Sequence, residues 1–339
     1  MLVMLVLATG FLVADIIAAD LPKLAEPGRL VFAPKGIVLH IGGHPANVSI
    51  NLVKLGLNPK DICVVGAVGN DVFGDFIENV LKSYNLVVRL HRVKNVGTTK
   101  NMILVVKGED RRFHVDLGAS WFLDPDEIIS SLKELRPKIA YFATGITGRL
   151  DDKLDEVVRK AKALGCMTFV DVIQPYGKGW EYVLPALPHA DIFHCNDIEL
   201  SDIMGEKELT NGIRKVLKLG TKLVLITMGD RGANVANGKI LVRQPSYKVD
   251  VVDPTGAGDA FCAGVLHHLM TTYGEKLSAD LLSKLGKDEL SKLLLWAQAV
   301  GAIKCTGPGT TTAVSYEGAM SLMKAQGKRL LKETISQRL

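Results

Sequence analysis

The chain has 339 residues, of which 47% are hydrophobic and 23% charged, the balance of a globular protein with a substantial core. Its 41 basic and 36 acidic residues leave a net charge of +5 with no run of five or six like charges, so no clustered basic footprint for nucleic acid is present. Five widely spaced cysteines (Cys63, Cys166, Cys195, Cys262 and Cys305) contain no CxxC pair. They argue against a disulfide framework or a zinc site and for buried thiols in a reducing compartment.

The first stretch, MLVMLVLATGFLVADIIAAD, lacks a positive n-region, and Asp15 interrupts its apolar run. Met1 to Ala8 is too short to span a bilayer and is expected to be a strand buried on both faces. Residues 11–40 then offer three strand-like pieces, FLVADIIAADL, RLVFAP and GIVLHIGG, separated by proline and glycine. Residues 45–57 have helical spacing and end at Gly56. Residues 61–69 read as a strand and 74–84 as a helix. Residues 97–117 alternate around a Gly-Glu-Asp turn at 108–110, the pattern of a hairpin.

From there the rhythm is regular. Residues 138–145, 166–173, 190–196 and 222–229 are short apolar strands with helical patterns between them, such as 151–164. Strands alternating with helices predict a mostly parallel sheet covered on both faces. Residues 11–40 and 97–117 lack covering helices and are expected to form a small separate β-sheet, placed as a lid on one α/β domain spanning residues 1–339.

Five segments carry candidate chemistry. In VVDPTGAGDAFCAGV, Gly256, Ala257 and Gly258 precede Asp259 and a helical run. One reading is a turn with an N-cap; the other is an anion cradle of backbone N–H groups with a carboxylate beside it able to act as a base. Gly42, Gly43 and Asn47 open a helix, either as a capped turn or as close backbone approach to a ligand. Residues 65–74 hold Gly66, Gly69, Asp71 and Gly74, a strand-to-helix connection with its own cap. Asn196 and Glu199, three apart, either cap a helix or share a face towards Mg²⁺-bound water. Gly229 and Gly232 follow an apolar strand, as a tight turn or a nucleotide loop.

In this order these pieces resemble the ribokinase-like (PfkB) carbohydrate kinases, from Gly10 to about Gly309. The resemblance implies a Rossmann-like core with a β-sheet lid, and transfer of the γ-phosphoryl group of ATP, with Mg²⁺, to an alcohol in the cytoplasm. It implies that Asp259 is the catalytic base and that Gly256, Ala257 and Gly258 form the anion hole. Asn196 and Glu199 are similar to the residues that arrange magnesium and its waters. Thr227, Gly229 and Gly232 resemble the nucleotide loop. Asp15, five residues after Gly10, with Gly42, Gly43 and Asn47, resembles the acceptor pocket. Asp253 resembles a monovalent-cation (K⁺) site seen in some members. The lid edges offer a homodimer surface.

Two departures bear on the acceptor. Val13 stands where many sugar-specific members carry Asn. Asp171, Ile173 and Pro175 stand where fructose and ketodeoxygluconate kinases often show Asp-x-Asn-x-Arg. Arg111 and Arg112 read as a solvated turn or as contacts to an anionic acceptor, and His44 has no assigned role. A sugar or polyol kinase is the leading expectation, beside a nucleoside kinase and a non-catalytic binding relative. No Walker-type GxxxxGK[ST] occurs.

Overall fold

The computed structural model describes residues 5–109 and 111–339. The outer residues of the apolar first stretch, 1–4, and Asp110 of the expected hairpin turn lie outside the described residues. The strands in chain order are β1 (Val6–Thr9), β2 (Val13–Leu21), β3 (Ile37–Gly42), β4 (Ile62–Gly69), β5 (Val87–Val93), β6 (Lys100–Val106), β7 (Arg112–Asp116), β8 (Ile139–Thr144), β9 (Met167–Val172), β10 (Ile192–Asn196), β11 (Leu223–Thr227), β12 (Ala233–Ala236), β13 (Ile240–Gln244) and β14 (Ile335–Arg338). The helices are α1 (His44–Lys54), α2 (Val72–Ser83), α3 (Pro125–Leu135), α4 (Arg149–Asp152), α5 (Leu154–Ala163), α6 (Asp197–Met204), α7 (Leu209–Leu219), α8 (Ala257–Tyr273), α9 (Ala279–Leu282), α10 (Lys287–Lys304) and α11 (Tyr316–Glu333).

A ten-stranded sheet runs in the order β14-β13-β12-β11-β10-β9-β8-β1-β4-β5. Strands β11 to β5 in that order pair in parallel, with β1 between β8 and β4. Helices cover both faces and divide the core into two large apolar clusters. One lies under α1, α8 and α10, the other under α3, α5 and α7. Every residue of β1, β4, β8 and β9 is buried, which is why these strands read as unbroken apolar runs. Helix α8 is apolar almost all round because it is sandwiched between α1 and α10. Gly264 permits the close pass of α10: a Cβ there would sit 2.8 Å from the Ala297 Cα.

The second sheet is four-stranded, β3-β2-β6-β7, with β2 and β6 parallel and the outer pairs antiparallel. Strands β6 and β7 form the hairpin, from Lys100↔Asp116 to Leu104↔Arg112. Three features depart from the sequence reading. RLVFAP is not a strand: residues 29–34 carry no regular structure, and Leu30 and Phe32 are 86% and 81% exposed. Residues 87–93 add the edge strand β5. The main sheet also gains an antiparallel edge, β12-β13-β14.

Candidate active site

The carboxyl ends of parallel strands leave a crevice where ligands bind in open α/β sheets. Here β9 ends in Asp171–Val172, β10 in His194–Asn196 and β11 in Thr227. A charge inside a buried strand requires partners. Asp171 has four. His44 Nδ1 lies 2.9 Å from its Oδ2, His194 Nδ1 lies 2.7 Å from its Oδ1, the Tyr141 hydroxyl donates to Oδ2, and the Cys262 Sγ is 3.8 Å away. Burial alone would raise the Asp171 pKa, but the facing His194 and His44 outweigh it and hold the carboxyl well below the usual range. On its far side the His194 ring meets the Thr227 hydroxyl at 3.2 Å.

Helix α8 starts at the same end. Gly256 takes φ 79°, a left-handed turn, and its carbonyl accepts the first helical bond from Ala260 N. The N–H groups of Gly258 and Asp259, in the first turn, have no protein acceptor among the described residues. A Cβ on Gly258 would meet nothing closer than His194 Cε1 at 3.8 Å, so packing does not demand glycine there. Asp259 is buried, accepts from Asn47 Nδ2 at Oδ2 (2.7 Å), and lies 3.4 Å from His44 Nε2 at Oδ1. Burial raises its pKa; nearby Asp171 adds to this, while His44 and the Asn47 bond oppose it.

Helix α1 brings Asn47 and His44 to this point. Its entry is the tightest in the site: a Cβ on Gly42 would fall 2.0 Å from Asp15 Oδ2, and one on Gly43 (φ 92°) would fall 2.2 Å from the Phe11 carbonyl. Asp15, on β2, accepts from Asn101 Nδ2 on β6 at 3.0 Å. Burial pushes its pKa to about 7; Asn101 opposes the rise and Asp259 adds to it.

Two cavities flank the turn. One of about 900 Å³ is lined by Asp15, Gly43, His44, Asn47, Asn101, Gly256 and Asp259, with Phe11, Val13, Ile103, Phe113, Ile173 and Tyr176 supplying an apolar wall. Among its described lining residues none is lysine or arginine. The other, about 730 Å³, is lined by Thr227, Gly229, Gly232, Ala257 and Gly258 and by apolar Val251, Pro254, Phe261 and Ala302. The candidates from the sequence thus divide between the cavities, with Gly42 backing Asp15. Asn196 and Glu199 line neither cavity. They form a reciprocal cap on α6, Glu199 N to Asn196 Oδ1 and Asn196 N to Glu199 Oε2, each 2.8 Å.

That cap leaves one Glu199 carboxylate oxygen uncommitted. Burial raises the Glu199 pKa, so a cation near this carboxylate would relieve a costly charge, and the carboxylate and amide groups here are of the kind that would hold Mg²⁺ through water. Asp253 differs. Its carboxylate accepts from Thr255 N, Thr255 Oγ1 and Gly309 N. The fully buried Lys304 ammonium donates to the Asp253 carbonyl at 2.5 Å and stands 4.0 Å from its carboxylate. A protein cation already serves this group, so the residues do not fit a further monovalent ion. Arg111 is no solvated turn residue: it reaches from β7's edge to the Thr255 hydroxyl and to within 3.6 Å of Asp253. Arg112 pairs with Glu109 on the surface.

Sequence reasoning missed the centre of the network. His44 had no role, Asp171 appeared only as part of a broken motif, and His194, Tyr141 and Asn101 went unmarked. For Asp171 and His194 the signal was a charged or imidazole residue inside an apolar strand, as in FVDV and IFHC, which a buried strand tolerates only with partners; His44, Tyr141 and Asn101 carried no such signal.

Two cavities that meet at a buried carboxylate and a turn of unpaired amides define a group-transfer enzyme. Residues 5–316 match the pfkB family carbohydrate kinase pattern, and the chain belongs to that family, making it a phosphotransferase with an alcohol group as acceptor. It is 31% identical over 255 residues to an ATP-dependent 6-phosphofructokinase of Thermoanaerobacterium thermosaccharolyticum, covering 71% of this chain and 76% of that protein. It is 28% identical over 299 residues to a fructokinase of Klebsiella pneumoniae, covering 86% and 91%. Its fold matches a ribokinase of Giardia lamblia (TM-score 0.81, 21% identity, 95% of this chain and 99% of that one). It also matches a Xylella fastidiosa fructokinase solved with bound ATP (TM-score 0.79, 22% identity, 96% and 99%). No helix among the described residues is long and apolar enough to cross a membrane.

Proposed function

We propose that the chain transfers the γ-phosphoryl group of ATP to a hydroxyl of an uncharged sugar or polyol. The observation that carries this reading is the shared wall: Ala257 and Gly258 face one cavity while Gly256 and Asp259 face the other. ATP would occupy the cavity of Thr227, Gly229 and Gly232, and the acceptor the cavity of Asp15, Asn47 and Asn101. Asp15 accepts hydrogen bonds from acceptor hydroxyls, and Asn47 and Asn101 present side-chain oxygens that lack a protein partner among the described residues. Asp259 takes the proton of the attacking hydroxyl as the bond to phosphorus forms. The free amides at the start of α8 hold the charge that develops on the transferring group. Mg²⁺, held through water by Glu199 and Asn196, would neutralise phosphate charge.

The four-stranded sheet contributes Asp15, Asn101 and Phe113 to the acceptor cavity, which suits a lid that excludes water from the reaction. Its outer strands β3 and β7 expose Ile37, Val38, Leu39 and Val115, and a second copy of the chain is the partner that such edges fit. Five free cysteines, four of them buried, support a reducing, cytoplasmic setting.

A nucleoside is the second reading. The apolar wall of Phe11, Val13, Phe113, Ile173 and Tyr176 gives a planar base a surface that a small sugar does not need. A phosphorylated acceptor is disfavoured because no lysine or arginine is among the described lining residues. Transfer of radiolabelled phosphate from ATP to a panel of hexoses, pentoses, inositols and nucleosides tests the reading. Transfer to a neutral acceptor, lost in Asp259→Asn with ATP binding and melting temperature retained, supports it. Exclusive transfer to sugar phosphates, or near-native turnover by Asp259→Asn, overturns it.

A further inference from the structure

His44 stands between two buried carboxylates carried by different elements. Its Nδ1 is 2.9 Å from Asp171 Oδ2 on β9, and its Nε2 is 3.4 Å from Asp259 Oδ1 on α8. An ionised carboxylate only accepts hydrogen bonds, so a ring set between two of them, bonded to one and in ion-pair contact with the other, is best satisfied as an imidazolium protonated at both nitrogens. The other groups around it agree. Glu199 on α6 adds negative charge at longer range, and His194 on β10 and Tyr141 on β8 are engaged with Asp171 rather than with His44. Cys262 on α8 touches the same Asp171 oxygen, Phe11 packs on the ring at 5.0 Å, and the charge of Asp259 in turn helps raise the pKa of Asp15 on β2. Burial lowers the His44 pKa, but Asp259 and then Asp171 more than reverse this and raise it to about 9.

We propose that His44 is a positioning residue for the phosphoryl-transfer base: clamped by Asp171, its imidazolium orients Asp259 and offsets the repulsion between the two carboxylates. The proposal rests on the reading of Asp259 as base. Asn47 donates to Oδ2 at 2.7 Å and the His44 ring faces Oδ1 in an ion-pair contact at 3.4 Å, so each carboxylate oxygen has one fixed neighbour that orients it. His44 is not a proton relay, since it already carries both ring protons. The acceptor hydroxyl's proton passes to Asp259, which becomes a carboxylic acid, while the imidazolium–Asp171 pair keeps its charges. Without the imidazolium, two buried carboxylates of like charge would remain, and Asp259 would hold a proton before the acceptor arrives.

The test uses full-length His44→Ala and His44→Gln beside wild type and Asp259→Asn, with ATP and D-fructose, myo-inositol or adenosine as acceptor. His44→Ala is expected to lower kcat at pH 7 by roughly 10- to 100-fold. The acid limb of its kcat–pH profile should move upward by about one unit or more. KM for ATP should stay constant, and added imidazole should restore activity. His44→Gln, which keeps a donor but not the charge, should fall between. Long-range ¹H–¹⁵N spectra of histidine-labelled wild type should show both His44 ring nitrogens protonated at pH 7. A neutral His44, an unmoved acid limb, or a loss equal at every pH that imidazole does not restore overturns the proposal. Near-native turnover by Asp259→Asn would instead defeat the base reading itself, so the two failures are separable. Unchanged melting temperatures of the His44 variants keep a folding defect from imitating the result.

Discussion

The Asn47 side-chain amide donates to Asp259 Oδ2 at 2.7 Å across a sequence separation of 212 residues. This bond joins the double-glycine stretch to the GAGD turn and makes them one site. Asn47→Ala removes a buried donor to a charged acceptor, which costs about 1.5–3 kcal/mol. If that cost falls on the reacting state, kcat drops by roughly 10- to 100-fold. Asn47→Asp should be worse at neutral pH, because a second carboxylate at this distance raises the Asp259 pKa. Its activity should recover partly above pH 8. A pH profile for Asn47→Asp that matches Asn47→Ala would show that charge at this position does not act on Asp259.

Asp15 couples acceptor binding to stability. Its pKa stands at about 7 in the folded chain against 3.8 for an ordinary aspartate. The folded protein therefore binds a proton between about pH 4 and 7 that the unfolded chain does not. Stability falls as pH rises through that window, and the full cost, no more than about 4 kcal/mol, stands above it. Asp15→Asn should raise the melting temperature at pH 8, leave it unchanged near pH 4, and raise the acceptor KM sharply while the KM for ATP holds. In wild type the acceptor KM should rise as pH falls below about 7, because protonated Asp15 accepts fewer hydrogen bonds from hydroxyls.

Two glycines separate packing from ligand contact. Gly42→Ala would drive a methyl group against Asp15 Oδ2, so the acceptor KM should rise and the protein should melt earlier. Gly258→Ala meets only an ordinary contact with His194 Cε1 at 3.8 Å in the chain itself, and alanine favours a helix by about 1 kcal/mol over glycine. It should hold or raise the melting temperature while kcat falls at least tenfold, since the methyl group would intrude where phosphate approaches. Full activity in Gly258→Ala would remove the phosphate cradle from the α8 turn.

The parallel core was legible because strands covered on both faces need apolar residues throughout, as β4 and β8 show. The GAGD turn was legible because its chemistry is local: adjacent glycines, amides and one carboxylate. What stayed hidden depended on distant partners. Strand β14 pairs with β13 from the far end of the chain and is wholly exposed, so it carries no burial pattern. RLVFAP is apolar yet mostly exposed, so its apolar composition marked neither burial nor strand pairing. His44 and Asp171 are ordinary residues until the fold sets them 2.9 Å apart. Asn196 and Glu199 had two readings at one spacing, and their reciprocal cap realises the structural one.

Lys304 bears on ion dependence. Its ammonium is fully buried, bonded to the Asp253 carbonyl and facing the Asp253 carboxylate, which in turn holds Thr255 and the Gly309 amide beside the α8 turn. Burial lowers the Lys304 pKa and Asp253 opposes that fall, the balance expected of a charge kept inside by its partner. With a cation supplied by the chain, turnover in tetramethylammonium chloride should equal turnover in potassium chloride at the same ionic strength. Lys304→Ala leaves Asp253 without that cation and opens space beside it. Activity of the variant should fall, and potassium should restore part of it and raise its melting temperature, whereas tetramethylammonium, too large for the vacated space, should do neither. Potassium activation of wild type by more than about twofold would mean that the ammonium does not fill this role.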